Sequence, residues 1–572
     1  MSDEQRAGLA LVLMVVVLML WSHFYKPSVP QKPPEKNPPA AQVQSPPAAN
    51  TPAASAAGAK TAQAARTPKA TPAAIAVKQA ANERTIVVES PFYRVTLSNR
   101  GGVVRSWTLR KYHNGAVHPQ PLDLVNETAA EQLNAWPLSI RLQDPKLEAE
   151  ANQALYTLNT ASDQLQAPAD VEFEWSDGHL HVIKELKFAN NYKVQLHVSA
   201  TLDGTPLPVS LAWRGGFGDQ SVSNELAMTQ VFYDENGKIE TLSYKSLGVK
   251  SHPELPAQVT GYMDAAGIED QYFTAAFLSE QPGITLSDWT QQHSVTADGK
   301  TTKTPVPEIA VGTTMPGPWN AQLYVGPKDL GLLGKLNPPL TDLVQYGWMG
   351  FLSKGLLYVL RWFYKYVPNY GWDIVLLTIF INMALFPLKA KSWRSMKQMQ
   401  KIMPKHKAIQ EKYKKYSLRD PRRQEMQKEI SELYKEHGVN PLGGCLPQVV
   451  QFPIWWALYR MLEFSIELRH APWIWWIHDL SARDPYYILP ILMTVAMYYT
   501  MKMTPQAVTD PAQQKMMMLM PLAFGVFMFL YSSGLVLYIF TSSLVGVAQQ
   551  WYLNRTDPLP SRSPFKNKPA KA

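Results

Sequence analysis

The sequence predicts an α-helical polytopic membrane protein with six transmembrane helices, five of them in a C-terminal core, and an inserted extracytoplasmic all-β domain. Three observations predict this fold class: apolar segments lie at both ends of the 572-residue chain, a Pro- and Ala-rich tract follows the first, and the middle alternates apolar and polar residues. The single cysteine excludes a disulfide framework and an all-thiolate metal site. The mean hydropathy of −0.19 resembles that of a soluble protein because the polar middle dilutes the apolar ends.

The first apolar segment predicts an N-terminal transmembrane anchor within residues 1–25. Residues 7–25 contain no Asp, Glu, Lys or Arg, and about 20 such residues cross a hydrocarbon core about 30 Å thick. A cleaved signal peptide is the alternative, but aromatic residues stand where an A-x-A-like cleavage site would be expected. Residues 26–82 are dominated by Pro and Ala, which predicts a disordered, semi-extended linker.

Residues 83–325 predict an antiparallel β-sandwich. Every second residue from 192 to 200 is apolar, and the segments TIVVES, FYRVTLSN, GGVVRSWTL and HLHVIKELKF have a similar texture. No nucleophile–base spacing, HExxH or P-loop pattern is present in this region. A sugar-processing site on the sandwich is a minor alternative.

Residues 338–368 predict an amphipathic helix at the membrane interface. Leu, Val, Trp and Phe side chains recur there at helical spacing, with cations between them. The alternative is a helix packed under the β domain.

The C-terminal core, residues 369–553, contains five apolar segments of transmembrane length. The predicted spans are residues 372–388, 446–464, 486–503, 516–531 and 534–553. Residues 389–435 contain 15 Lys and Arg, which well outnumber the acidic residues, and the tail of residues 554–572 is also basic. The positive-inside rule places both in the cytoplasm. Counting spans backwards then puts both termini inside and the β domain outside.

Residues 392–438 predict a helical hairpin that projects into the cytoplasm. Met396, Met399 and Met403 recur at helical spacing on its first helix, and Asp420 and Gly438 suit the start and end of the second. The methionines form either an ordinary packed seam or a landing surface for a hydrophobic polypeptide. Met516, Met517 and Met520 on the fifth span either face lipid or pack in the core, or they capture the hydrophobic segment of a substrate.

Uncharged polar side chains occur inside three of the predicted spans. They are Thr378, Asn382, Gln451, Thr541 and Ser542. Each either bridges helices by hydrogen bonds or lines a wet cavity. Asn382 lies seven residues before Lys389, which is about 10 Å inside the cytoplasmic boundary.

Four segments occur in order within residues 338–553: VNPLGGCLPQVVQFPIWWALYRML, ELRHAPWIWWIHDLSARDPYYILPILM, KMTPQAVTDPAQQKMMMLMP and SSGLVLYIFTSSL. They closely resemble the YidC/Oxa/Alb family of membrane protein insertases. The resemblance implies a multi-pass protein of the bacterial inner membrane, in the Gram-negative form whose periplasmic domain is a β-supersandwich. It implies insertion and folding of inner-membrane proteins, alone or beside the Sec translocon, with no cofactor, nucleotide hydrolysis or enzymatic activity.

The resemblance also implies a hydrophilic groove open to the cytoplasm and to lipid. Thr378 and Gln451 match groove positions, the third and fifth spans guide the substrate's hydrophobic helix, and the Met-bearing hairpin is needed for activity. Many members carry Arg or Lys in the groove at the position of Asn382, so this chain departs from the pattern. Nascent membrane proteins, the Sec translocon and the bilayer are the expected partners, with ribosome contact through the basic tail and no DNA. A transporter or channel with a periplasmic binding domain is the alternative function.

Overall fold

The computed structural model describes residues 76–115, 119–220, 229–259, 261–280, 283–297, 300–416, 420–439, 446–504 and 511–556. The predicted anchor of residues 1–25 lies outside the described residues, as do most of the linker of residues 26–82 and most of the tail of residues 554–572.

Short strands dominate the part of the chain that the sequence predicts to be a β domain. The strands are β1 (Thr85–Glu89), β2 (Tyr93–Ser98), β3 (Val103–His113), β4 (Pro121–Asp123), β5 (Ser139–Arg141), β6 (Thr157–Leu158), β7 (Gln164–Gln166), β8 (Ala169–Ser176), β9 (Leu180–Phe188), β10 (Lys193–Leu202), β11 (Thr205–Pro206), β12 (Ser210–Trp213), β13 (Gln230–Glu235), β14 (Lys238–Ser243), β15 (Ala257–Val259), β16 (Met263–Glu269), β17 (Phe273–Ser279), β18 (Ile284–Ala297), β19 (Lys300–Thr313) and β20 (Trp319–Pro327).

These strands form three sheets around a common core. Their orders are β4-β3-β2-β1-β7, β14-β13-β16-β17-β20-β10-β9-β8-β6 with β11 on β10, and β15-β18-β19-β12-β5. The described pairings are antiparallel except that of β1 with β7. Burial alternates along β9 and β10, so their apolar side chains face the core, as period two predicts. The β character predicted for this region is confirmed, although two short helices also lie within it.

Helices form most of the remainder. They are α1 (Glu127–Leu133), α2 (Pro145–Gln153), α3 (Leu330–Leu333), α4 (Gly350–Tyr364), α5 (Tyr370–Ala384), α6 (Phe386–Tyr413), α7 (Arg422–Glu436), α8 (Leu446–Phe464), α9 (Ile488–Met503), α10 (Pro511–Met528) and α11 (Ser533–Thr556). Helices α1 and α2 were not predicted from the sequence, although Asn126 and Asp144 cap them with side-chain oxygens.

The predicted amphipathic helix of residues 338–368 is shorter than expected. Gly347 has φ +68°, a left-handed conformation that interrupts an α-helix, and α4 begins only at Gly350. Leu340 and Leu343, which the prediction placed on the helix, are buried before it. The α4 residue Ser353 donates to the carbonyl oxygen of Ala457 on α8 at 2.9 Å, while Phe351 is exposed. One face of α4 therefore packs on α8 and another is free.

The described helices do not by themselves establish six membrane crossings. None of them, taken singly, has both the length and the hydropathy expected of a span, whereas α5 and α6 together do, with a 54° bend between them. Two further helical segments, Ile488–Met503 and Met516–Met528, are apolar but shorter.

Lys184 on β9 is a buried cation inside the β region, and it predicts a pH dependence. Its Nζ donates to the carbonyl oxygens of Gly101 at 2.7 Å, Leu138 at 2.9 Å and Gly102 at 3.3 Å. Burial lowers the pKa of Lys184 from 10.5 to about 7. Between these two pH values the unfolded chain binds a proton that the folded chain does not, so folding stability rises with pH across that window.

We expect K184M to abolish this rise and to cost about 1–3 kcal/mol at high pH, because the carbonyl oxygens lose their donor. Unfolding temperatures of the purified chain at pH 7 and pH 9 measure both effects. K187M, at an exposed position on the same strand, is the matched control. An unchanged pH dependence in K184M would contradict the assignment.

Candidate functional site

Two of the predicted groove residues, Asn382 of α5 and Ser542 of α11, meet in a polar cluster. Asn382 is completely buried. Its Nδ2 donates to the carbonyl oxygen of Thr378 at 2.8 Å and to Ser542 Oγ at 3.2 Å. Its Oδ1 accepts from Lys389 Nζ at 2.6 Å, and its backbone oxygen accepts from Gln549 Nε2 at 3.0 Å. The amide therefore bridges α5, α11 and the start of α6.

Local sequence explains why the cluster forms there. Thr378 and Asn382 are four residues apart and share a helix face with Ile374, Leu377 and Ile381, all of them buried. This face packs against α11. Pro387 lacks an N–H and its ring clashes with the preceding helical turn, so it favours a break just before it, and α5 gives way to α6 at the 54° bend.

Lys389 is the charged member of the cluster, whereas the sequence predicted it only to mark the cytoplasmic boundary of the span. It is half-buried in the first turn of α6. Lys389 lies seven residues after Asn382, which corresponds to about two helical turns, so the two side chains lie on the same side of the helical segment. This spacing is the sequence feature from which their contact could have been predicted.

The other predicted groove residues occupy separate positions. Thr378 is buried and its hydroxyl donates to the carbonyl oxygen of Ile374 at 2.6 Å, within its own helix. Gln451 is half-buried, and its Nε2 donates to the hydroxyl of Tyr538 at 3.2 Å. Tyr538 lies one turn before Ser542 on α11. Gln451 therefore contacts the same helix as Asn382 does, one turn away from the Asn382–Ser542 contact. Thr541 is buried beside Ser542 in the chain.

The predicted substrate-capturing methionines differ in how far they are buried on the hairpin and on α10. Met399 is buried with Ile402 and Val439 in the seam between α6 and α7, and Met403 packs against that cluster. Met396 is half-buried. The hairpin residues therefore fit the packed seam better than an open landing surface.

On α10, by contrast, two of the three predicted methionines are exposed. Met516 is 49% exposed and Met520 is 50% exposed, whereas Met517 is half-buried. The exposed large apolar residues of α9 and α10 extend this surface; they are Ile491, Leu492, Val495, Leu519, Leu522 and Val526. An extended apolar surface of this kind indicates contact with a membrane or with another polypeptide.

Within the described residues, no group of three or more His, Cys, Asp and Glu side chains is placed to hold a metal ion. The described site contains hydrogen-bonding groups and the Lys389 ammonium, and exposed apolar side chains lie on α9 and α10.

Known proteins resemble the chain over nearly its whole length. Residues 85–359 match the family described as the YidC periplasmic domain, and residues 362–559 match the family described as 60Kd inner membrane protein. A membrane protein insertase YidC of Geobacter metallireducens is 35% identical, with 97% of this chain and 98% of that protein covered. One of Syntrophus aciditrophicus is 31% identical, with 96% and 99% covered.

A crystal structure described as an active YidC insertase with its first transmembrane domain resolved is also similar. It is 18% identical, covers 84% of this chain and 96% of its own, and has a TM-score of 0.34. The sequence relationship is the stronger finding, because it combines identity above 30% with nearly complete coverage of both chains. The chain belongs to the YidC family of membrane protein insertases.

Proposed function

We propose that this chain inserts and folds inner-membrane proteins through a hydrophilic groove open to the cytoplasm and to lipid, alone or with the Sec translocon and without nucleotide hydrolysis. Family membership supports the insertase activity. The polar cluster of Asn382, Ser542, Lys389 and Gln549, which joins α5, α6 and α11, is the single observation that carries the groove.

In this proposal the protein lies in the bacterial inner membrane with six spans. Both termini are cytoplasmic and the β domain is periplasmic. The basic surface of the hairpin faces the cytoplasm, as the positive-inside rule predicts. Nascent membrane proteins and the Sec translocon are partners, and the basic tail is a candidate contact for the ribosome.

The mechanism that we propose lowers a barrier and makes no covalent bond. A charged group at the centre of a bilayer costs at least about 2.5–3.5 kcal/mol on insertion scales. Polar groups that reach inward from the cytoplasmic side shorten the apolar path that a substrate's polar segment must cross. The substrate's hydrophobic helix then partitions into lipid along the exposed side chains of Met516 and Met520, and this partitioning supplies the free energy.

The double variant N382L/Q451L tests this mechanism. We expect insertion of a substrate with a polar translocated tail to fall about tenfold, equivalent to about 1.4 kcal/mol of barrier, because two helix contacts lose their polar groups. A substrate with an apolar tail should change much less. Insertion into reconstituted vesicles, measured by protease protection of the tail, compares the two.

The matched control is Q448L, because Gln448 lies on α8 one turn before Gln451 and is exposed. An equal loss for both substrates in N382L/Q451L, with the unfolding temperature unchanged, would contradict the groove. Failure of the unaltered chain to insert either substrate would contradict the insertase activity itself.

A further inference from the structure

We infer that an open polar cavity on the β region binds a guanidinium or ammonium group, carried by an extended polypeptide or by a small polyamine. The cavity has a volume of about 360 Å³ and lies over β9, β10 and β20. Its polar lining residues are Glu185, Lys187, Gln195, His197, Glu280 and Asn320. The inference concerns a site separate from the polar cluster of the helices and does not rest on the proposed insertase function.

Strand register brings these side chains together. His197 on β10 has Glu185 on β9 as its cross-strand partner on one side and Asn320 on β20 on the other. Gln195, two residues earlier on β10, is the cross-strand partner of Lys187. Alternate residues of a strand face the same side, so the two rows share the outer face of the sheet, while the apolar residues between them are buried in the core.

Hydrogen-bond acceptors dominate the row that contains His197. Asn320 Oδ1 lies 2.7 Å from His197 Nδ1. Because an amide oxygen can only accept, Nδ1 carries the proton and the neutral ring presents Nε2 as an acceptor. Glu185 lies beside this ring, and Glu280 follows β17 and donates its backbone N–H to the carbonyl oxygen of Asn320 at 3.2 Å. Since both carboxylates are acceptors as well, a ligand with several N–H donors complements this row.

This face also carries excess negative charge, although the whole chain has a formal net charge of +9. Glu172 on β8 is the cross-strand partner of Glu185, and like charges directly opposite each other are unfavourable. Lys187 Nζ lies 3.0 Å from Glu185 Oε1. Among the described residues it is the one cation within ion-pair distance of the carboxylates of Glu172, Glu185 and Glu280. A second cation, supplied by a ligand, would offset the repulsion.

Two other classes of ligand suit the cavity less well. In the part of the chain that the structure describes, no three His, Cys, Asp or Glu side chains are grouped closely enough to hold a metal ion. A sugar usually stacks on an aromatic ring, and the cavity lining contains no aromatic residue. A guanidinium, by contrast, presents five N–H donors in one plane and suits neighbouring carboxylates.

Binding of labelled peptides to the full-length chain in neutral detergent tests the inference. The probes are a peptide of alternating Gly and Arg, the same peptide with Gln at each Arg position, and spermidine as an unlabelled competitor. We expect the Arg peptide to bind more tightly than the Gln peptide. E185Q/E280Q should weaken its binding about fivefold to tenfold, because two partly exposed charge pairs are lost. The difference should shrink with rising salt, because screening acts on charge pairing.

A predicted gain of binding separates the site from a general disturbance of the fold. K187Q removes the cation that competes for Glu185, so we expect the Arg peptide to bind about twofold to fivefold more tightly. A variant that merely disturbed the β region would lose binding instead. E131Q is the matched control, because Glu131 is exposed on α1 outside the cavity lining. Unchanged unfolding temperatures verify that the variants are folded.

The outcomes are distinguishable. Equal binding of the Arg and Gln peptides would overturn the assignment of a cation site, as would an equal loss in E131Q and E185Q/E280Q or weaker binding in K187Q. Displacement of the Arg peptide by spermidine at a lower concentration than that of the peptide would support the site with a small polyamine as its ligand. Peptide binding that spermidine does not displace would support it with a polypeptide as its ligand. The assay involves no insertion, so failure of the proposed insertase function would not change its result.

Discussion

Replacing Lys328 by Met should lower the free energy of unfolding of the β region by about 3–5 kcal/mol, because it leaves a buried carboxylate without its cation. Lys328 follows β20, and its Nζ lies 3.1 Å from Glu269 Oε2 on β16. The two side chains are 1% and 0% exposed. Burial raises the pKa of Glu269, and the positive charge of Lys328 opposes that shift.

Hydrogen bonds around the Lys328–Glu269 pair connect the β region to the segment that precedes α4. Lys328 Nζ also donates to the carbonyl oxygen of Asp270 at 2.8 Å, and Gln345 Nε2 donates to Glu269 Oε1 at 3.0 Å. Gln345 belongs to the segment that leads from the β region to α4. Loss of the cation therefore destabilises the β region and the connection to the helices together.

A double-mutant cycle gives the sharper test. K328M/E269L removes both charges, and we expect it to be less destabilising than either single change, because no buried charge is left unpaired. K238M is the control, since Lys238 pairs with Glu240 on the surface and such pairs contribute about 0–1 kcal/mol. Denaturant unfolding of the purified chain measures all four. A double variant as unstable as the sum of the singles would contradict the coupling.

The β region was predictable because its strands are half-buried. Along β10 the buried residues are the apolar ones at every second position, so the periodicity of the sequence directly records the environment of each side chain. The boundary of α4 was not predictable in the same way. Leu340 and Leu343 fit a helical pattern by spacing, but they are buried by tertiary contacts before the helix starts.

The polar cluster around Asn382 was predictable only in part. Asn382 and Ser542 were expected to converge because polar residues inside apolar helices find partners. The contact between Lys389 and Asn382 depends on the bend before Pro387, and the angle of a bend is set by packing between helices rather than by local sequence. Gln451 was expected to line the same groove as Asn382, but its contact with Tyr538 depends on the rotation of α8 about its own axis. Spacing within one helix does not fix that rotation relative to another.

Replacing Arg469 by Met should weaken the contact between the β region and the helical core by about 3–5 kcal/mol, again because one partner of a buried pair is removed. Arg469 follows α8 in the chain, and its Nη2 lies 2.6 Å from Asp219 Oδ2 in the β region. The side chains are 6% and 5% exposed. The guanidinium also lies 5.1 Å from the ring centroid of Phe273 on β17.

Hydrogen exchange of the β region in the full-length chain measures the predicted weakening. We expect faster exchange in R469M around Asp219 and in β17, with β9 and β10 unaffected because they lie elsewhere in the large sheet. K354M is the control, because Lys354 and Asp342 form a partly exposed pair on the helical side. D219N should reproduce R469M. If both variants weaken the contact but insert membrane proteins normally, the β region is not the part that binds substrate, whereas a loss of insertion that follows the faster exchange would show that the helices depend on this attachment.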